Sequence, residues 1–299
     1  MEPFVTGQYQ ISDLDKTREI QPLEYAEKTI LKRLNYLIGF LKKETPGLLP
    51  SYVVRLNNKF VSFLKRPYKI SQFKIPTKLS NQFMHLKVYP ELMQSSIAYY
   101  LQLLNFDYTK DWTKAKVKLT NKDYIQSFLN QRYYNAQALT EVIERNKAVE
   151  LYKNYLTSYV KTLAPEIPPY ESLEEFREAR KPKKENPPNI GWVTVQGIIE
   201  NGKFPQRKDT CIWHDAIVEL PDTELKYLAA CYGDFQSYNN NNKHFILTME
   251  HTIVAGDPYC SCVLHDTRIN DDLNHPSMEF FDNMWPLAEH QLRKRNENE

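Results

Sequence analysis

All four cysteines of the chain fall between Cys211 and Cys262: Cys211, Cys231, Cys260 and Cys262. His214, His244 and His251 lie in the same stretch, and His265 just beyond it. Chemistry that needs sulfur must therefore occur here. Cysteine reacts as the thiolate, and its ordinary pKa of about 8.5 falls beside a cation or a base. Cys231 is expected in the last turn of a helix over 222–232, with Asp222 as N-cap and Gly233 at the C-terminal end. Asp234 follows at three-residue spacing and could be brought near the thiol. A helix C-terminus carries negative partial charge, which opposes a thiolate there. Activation of Cys231 would thus need a histidine or a cationic substrate. His214 is the preferred histidine, because it follows Cys211 at three-residue spacing and shares its helical face.

Two plainer readings stand beside this one. A free cysteine taken alone is more often a core residue than a nucleophile. His251, expected on a strand, is more often an exposed or satisfied strand residue than a catalytic one. A zinc site is a rival: Cys211, His214, Cys231 and Cys260 or Cys262 could supply four ligands. Cys260 and Cys262 would share one strand face about 7 Å apart. That spacing matches no standard zinc motif, so neither metal nor disulfide is expected.

The elements that must position these residues change character along the chain. Up to about residue 163 the pattern is helical. Ile30, Leu31, Leu34, Leu37, Ile38 and Leu41 recur at three- and four-residue spacing, and Pro46-Gly47 ends the run. A second helix is predicted over Glu91–Leu104 and a third over roughly Asn121–Thr162, whose later half aligns Val142, Val149, Tyr152, Leu156, Tyr159 and Val160. The frequent tyrosines and phenylalanines are expected to fill this helical core. Residues 164–190 hold six prolines, Pro165, Pro168, Pro169, Pro182, Pro187 and Pro188. They predict a linker or strap with one short helix at 171–180. From Gly191 the pattern alternates: a strand in GWVTVQGIIE, short helices over 209–219 and 222–232, an Asn-rich loop at Ser237–Asn242, and strands over 245–254 and 259–265. Gly256-Asp257-Pro258 supplies the turn between the last two. The expected fold is α+β, with a helical N-terminal half (1–163), the strap (164–190), and an α+β module (191–299) whose antiparallel sheet carries helices on one face.

Composition narrows the class. The chain is 41% hydrophobic and 13% aromatic, which suits a folded globular protein. Its 39 basic and 37 acidic residues leave a net charge of +2, so neither nucleic acid nor membrane is an expected partner. The N-terminus lacks a basic start followed by an apolar run, so a cytoplasmic location is expected.

The stretch C211IWHDAIVEL…L228AAC231YGD234…T248MEHT252IVAG256DPYC260SCVL resembles the L-2-amino-thiazoline-4-carboxylic acid hydrolase family. Cys231, Asp234, Thr252, Gly256 and Cys260 match that family's Cys-x-x-Asp element, Thr-bearing strand, Gly turn and Cys. Residues 145–162 look like the helix before the family's catalytic half. The Gly-Asp-Pro-Tyr-Cys segment is also similar to the four-vinyl-reductase-type small-molecule-binding domain. The doubled Cys260-Ser261-Cys262 departs from the pattern.

The resemblance implies hydrolysis of a C–N bond in a small cyclic amidine or thiazoline that carries a carboxylate, with no cofactor. Cys231 would attack the amidine carbon. His214 or His251 would move the proton, and Asp234 would orient that imidazole or bind the cationic amidine. Thr252 would line the substrate site, and Arg268 or a lysine would hold the carboxylate. The alternative is a sensor that binds a small ligand without turnover. A small molecule is the expected partner in either case, with a homo-oligomer as a further possibility.

Overall fold

The computed structural model describes residues 2–65, 75–163, 169–182 and 191–298. The chain divides into two compact units, one of residues 14–159 and the other of residues 1–13 with 160–299. Strand β1 (Phe4–Thr6) opens the chain. The unit of residues 14–159 then contains β2 (Thr17–Ile20), a one-turn α1 (Pro22–Tyr25), a π-helical stretch (Ala26–Leu31), α2 (Lys32–Glu44), α3 (Leu49–Phe63), α4 (Thr77–Gln82), α5 (Pro90–Leu103), β3 (Val117–Thr120) and α6 (Asn121–Thr140), and α7 (Arg145–Lys161) leads out of it. The other unit adds α8 (Leu173–Arg180), β4 (Thr194–Gln196), β5 (Lys203–Lys208), α9 (Ile212–Ala216), α10 (Thr223–Ala230), α11 (Gly233–Asn241), β6 (Phe245–His251), β7 (Cys260–Asp266), α12 (Met278–Met284) and α13 (Glu289–Asn298). The class is α+β. No helix among the described residues is long and apolar enough to cross a membrane.

In the first of these units the apolar stripe of α2 buries Leu34, Leu37, Ile38 and Leu41. Tyr52, Tyr100, Tyr133, Tyr152 and Tyr155 are fully buried, so the aromatics do build this core. The long third helix of the sequence reading is instead two. Val142 N–H and Ile143 N–H both return to Leu139 O, which closes α6, and the Glu144 carboxylate then accepts from Asn146 N (2.8 Å) and Lys147 N (3.1 Å) to start α7. Apolar periodicity runs through the break because both helices face the same core. The cap, a local hydrogen-bonding event, decides where one ends. Strand β2 pairs antiparallel with β3, a small sheet that helical periodicity upstream and downstream had hidden.

In the second unit a five-stranded antiparallel sheet runs in the order β1-β4-β5-β7-β6. Strand β1 pairs with β4, so the first residues of the chain belong to this sheet. Strand β4 is shorter than the alternation predicted, because Gly197 ends it at φ +120°. A Cβ there would also come within 2.7 Å of the Phe4 ring. Strand β5 has no clear signature. It reads Lys-Phe-Pro-Gln-Arg-Lys, and Pro205 sits one residue before Gln206, the outermost β5 residue paired to β4.

One sheet face buries Phe204, Phe245 and Leu264 against Leu173 and Phe176 of α8. Farther along, the same face buries Leu247, Cys260 and Cys262 against Phe235 and Tyr238 of α11. The opposite face is also covered: Val195 and Val263 pack on Phe281 and Met284 of α12. Arg207 is fully buried on this side, forked onto Asp209 (2.7 and 3.1 Å) and donating to the carbonyls of Phe281 (2.9 Å) and Trp285 (2.7 Å). It therefore terminates α12 and ties the helix to β5.

Of the predicted strap, residues 164–168 and 183–190 lie outside the described residues, and Pro165, Pro168, Pro187 and Pro188 with them. The short helix inside it is α8, capped by Ser172 Oγ accepting from Glu175 N (3.2 Å). The Asn-rich segment is not a loop. Residues Gly233–Asn241 form α11, where Asn240 Nδ2 donates to Val160 O (2.7 Å) and Gln236 Nε2 donates to Asn240 Oδ1 (2.8 Å). Asparagine's poor helix propensity is offset here by side-chain amides that find fixed acceptors.

Candidate functional site

The four thiols gather around one ammonium. In the antiparallel register Lys208 stands opposite Cys260, and Gln206 opposite Cys262. Residues two apart along a strand share a face, so Lys208, Cys260 and Cys262 project together. Cys211 packs beside Cys260 and Cys262 in the same apolar cluster. Cys231 reaches it from α10. That helix starts with Asp222 Oδ1 accepting from Leu225 N (3.1 Å), as its sequence predicts. It ends at Cys231, whose N–H goes to Tyr227 O (2.8 Å).

Asp234 N–H then returns to Cys231 O (3.0 Å), so Cys231-Tyr232-Gly233-Asp234 is the joint between α10 and α11. The Asp234 carboxylate occupies the first turn of α11, where the helix dipole favours an anion. Its Oδ2 lies 3.8 Å from Lys208 Nζ.

Burial pushes all four thiols above their usual range. For Cys231 the neighbours Cys260, Cys211 and Asp234 add to that effect, and Lys208 opposes it. Lys208 opposes the rise at each of the other three as well. Burial works against the Lys208 cation itself, but Cys262, Asp234, Tyr238 and Cys260 together raise its pKa above the ordinary value. While the thiols are protonated, the Asp234 carboxylate is the counter-ion at hand. At neutral pH the cluster is therefore four protonated thiols around a lysine–aspartate ion pair. Two of the thiols also have structural tasks. Cys211 Sγ accepts from His214 N (3.4 Å) as the N-cap of α9, and Cys260 Sγ accepts from Ile253 N (3.3 Å).

Cys231 and Asp234 are thus together, as the sequence reading expects. The other named residues are elsewhere. His214 meets Cys211 through its backbone, and its ring is influenced by Asp215, Lys226 and Lys294, with burial holding the imidazole below its ordinary pKa. His251 Nδ1 lies 3.5 Å from Asp257 Oδ1. Thr252 is committed to the turn: its Oγ1 accepts from Ala255 N (3.2 Å), and its N–H donates to Asp257 Oδ2 (2.7 Å). Gly256, at φ +106°, completes that turn.

Arg268 is forked onto Asp266, with Nε at 2.9 Å and Nη2 at 2.6 Å. Asp266 is six residues along β7 from Cys260, about 20 Å at the strand rise per residue. Arg268 therefore does not face the thiols. Among the described residues no group of three His, Cys, Asp or Glu side chains is arranged to hold a metal ion.

Lys208 is the residue the sequence reading missed. It ends β5, a strand with a proline and four polar or charged residues among its six. The only signal was its two-residue spacing from Gln206, which is uninformative until the pairing with β7 is known. Compared with known proteins, the chain matches no family model, no curated protein and no solved structure.

Proposed function

We propose that the Cys231–Asp234–Lys208 cluster binds a small carboxylate-bearing amidine or thiazoline and opens its C–N bond through Cys231. The reading rests on one observation: Lys208 is a charged neighbour of all four thiols and lies 3.8 Å from Asp234, beside the Cys-x-x-Asp joint. In this scheme Lys208 is the lysine that, in place of Arg268, binds the substrate carboxylate. Asp234 receives the cationic amidine. That cation, seated beside Cys231, offsets the burial that keeps the thiol protonated. Cys231 Sγ adds to the amidine carbon, the ring C–N bond breaks as its nitrogen takes up a proton, and water then releases the product from sulfur.

A second reading is favoured by the electrostatics: the site binds such a ligand without turning it over. Four thiols held protonated, with His214 and His251 engaged elsewhere, suit recognition better than nucleophilic attack.

One experiment separates the two. The full chain is incubated with 2-amino-thiazoline-4-carboxylic acid, and ring-opened product and binding are both measured. Catalysis predicts product from the wild type, no product from a folded Cys231→Ser variant, and retained binding in that variant. Binding without product in the wild type supports the second reading. If neither product nor binding is seen, both are wrong.

A further inference from the structure

The charge balance of the whole chain hides an uneven division. The unit of residues 14–159 holds 24 basic and 12 acidic residues, whereas the rest of the chain holds 15 and 25. The basic excess lies between Glu27 and Glu91, where 13 lysines and arginines meet a single acid, Glu44. The near-zero net charge that argued against a charged partner is therefore a sum over two strongly charged units.

One turn in this basic stretch holds apolar side chains outward. Residues 83–89 link α4 to α5. Lys87 N–H returns to Phe83 O (2.8 Å) and Tyr89 N–H to Leu86 O (2.9 Å), which closes the turn. Phe83 and Leu86 are buried and anchor it. Asn35 Oδ1 on α2 accepts from both His85 N (2.9 Å) and Leu86 N (3.0 Å). The His85 ring lies against Gly39 of α2, where a Cβ would come within 2.6 Å of it. Met84 and Val88, four residues apart and so on one side of the turn, are each 67% exposed. Lys78 on α4, Lys87 in the turn and Lys32, three residues before Asn35 on α2, are exposed as well. Among the described residues none of these three lysines forms an ion pair.

Two aliphatic side chains held out by so well-anchored a turn forgo burial that the fold does not provide. The patch they make is far smaller than the roughly 800 Å² per partner that a stable protein interface buries. The phosphates of a nucleic acid would use the lysines and leave Met84 and Val88 in water. An anionic lipid surface uses both: its headgroups meet the ammoniums, and the acyl boundary takes small apolar tips without demanding a complementary shape. We propose that the turn 83–89 is the point at which the basic helical unit docks peripherally on an anionic membrane surface. Met84 and Val88 enter the headgroup region, and Lys32, Lys78 and Lys87 meet the lipid phosphates. The docking is independent of the thiol cluster and of any ligand bound there.

The test is co-sedimentation of the full chain with phosphatidylcholine vesicles, with and without phosphatidylserine, over a range of salt. The chain should pellet with the mixed vesicles, bind pure phosphatidylcholine at least about tenfold more weakly, and leave the mixed vesicles as salt rises. Met84→Ser combined with Val88→Ser should weaken binding to the mixed vesicles by about tenfold or more. Lys78→Gln combined with Lys87→Gln should do the same. All four side chains are exposed, so both variants should keep the far-UV circular dichroism of the wild type. Should one pair not fold, the other pair and the wild-type comparison of the two lipids still decide. Binding of a single-stranded oligonucleotide by a chain that ignores both vesicles would assign the basic unit to nucleic acid and overturn the proposal. No vesicle binding, equal binding to both lipids, or undiminished binding by a folded Met84→Ser/Val88→Ser variant would each overturn it as well.

Discussion

Lys208 and Cys260 stand opposite each other in the β5–β7 register, and this one pairing puts an ammonium among four thiols. The lysine does not make thiolates of them. Burial is the larger influence at every cysteine, and Lys208 only moderates it. Its reach to all four means that a single substitution should move them together.

Thiol reactivity should report that coupling. Lys208→Met removes the cation that opposes the rise, so alkylation of Cys231 by iodoacetamide at pH 8 should slow several-fold. Asp234→Asn removes a neighbour that raises the Cys231 pKa, so it should speed the same reaction. Peptide mapping after timed labelling reads both. Unchanged rates in both variants would mean that the ion pair does not govern the thiol.

The thiols also predict a pH dependence of stability. Their folded pKa values lie above the unfolded one, so their contribution is complete below about pH 8.5 and is lost as pH rises through the folded values. Above pH 8.5 the unfolding free energy should fall by up to about 1.4 kcal/mol per pH unit for each titrating thiol. Urea denaturation from pH 7 to pH 10 checks this. A flat profile would contradict the burial described here.

His265 works at the other end of the scale. It is fully buried, its Nε2 is 2.8 Å from Thr248 Oγ1, and burial, followed by Lys203, pulls its pKa down to about 4. A depressed histidine gives stability that is complete above its unfolded value, about 6.5, and that drains away as pH falls from there toward 4. The urea midpoint of the wild type should drop across that window. A folded His265→Gln variant should lose that part of the slope.

Arg207 predicts a large structural effect. Its guanidinium is fully buried, forked onto Asp209, and donates to the last carbonyls of α12. A lysine cannot reproduce the fork and would leave buried acceptors unmet, so Arg207→Lys should cost about 3 kcal/mol or more. A change under about 1 kcal/mol in denaturant unfolding would show that α12 is held by its apolar face alone.

The cap of α10 should matter less. Asp222→Ala deletes one N-terminal hydrogen bond and should cost about 1 kcal/mol. Because α10 delivers Cys231, the same variant should loosen the Cys231 joint, seen as faster amide exchange at Cys231 and Asp234.

The sequence by itself determined what depends on neighbours a few residues apart. The three-and-four spacing of Leu34, Leu37, Ile38 and Leu41 fixed a helix and its buried face. Asp222 fixed a helix start, and Gly256-Asp257-Pro258 fixed the connection between β6 and β7. The Cys231–Asp234 proximity belongs here too, because a turn of three residues closes it. Only the tertiary structure decided which strand lies beside β7. Strand β5 carries a proline and charged residues because its surroundings, not its own propensity, make it a strand. Lys208 enters the thiol cluster solely through that pairing. For the same reason His214, three residues from Cys211, shares a cap with it but not an environment. Local spacing fixes the face of an element on which a side chain lies. What that face meets depends on contacts between residues distant in the chain, and those form only when burial of the whole core outweighs the entropy of closing the long loops between them.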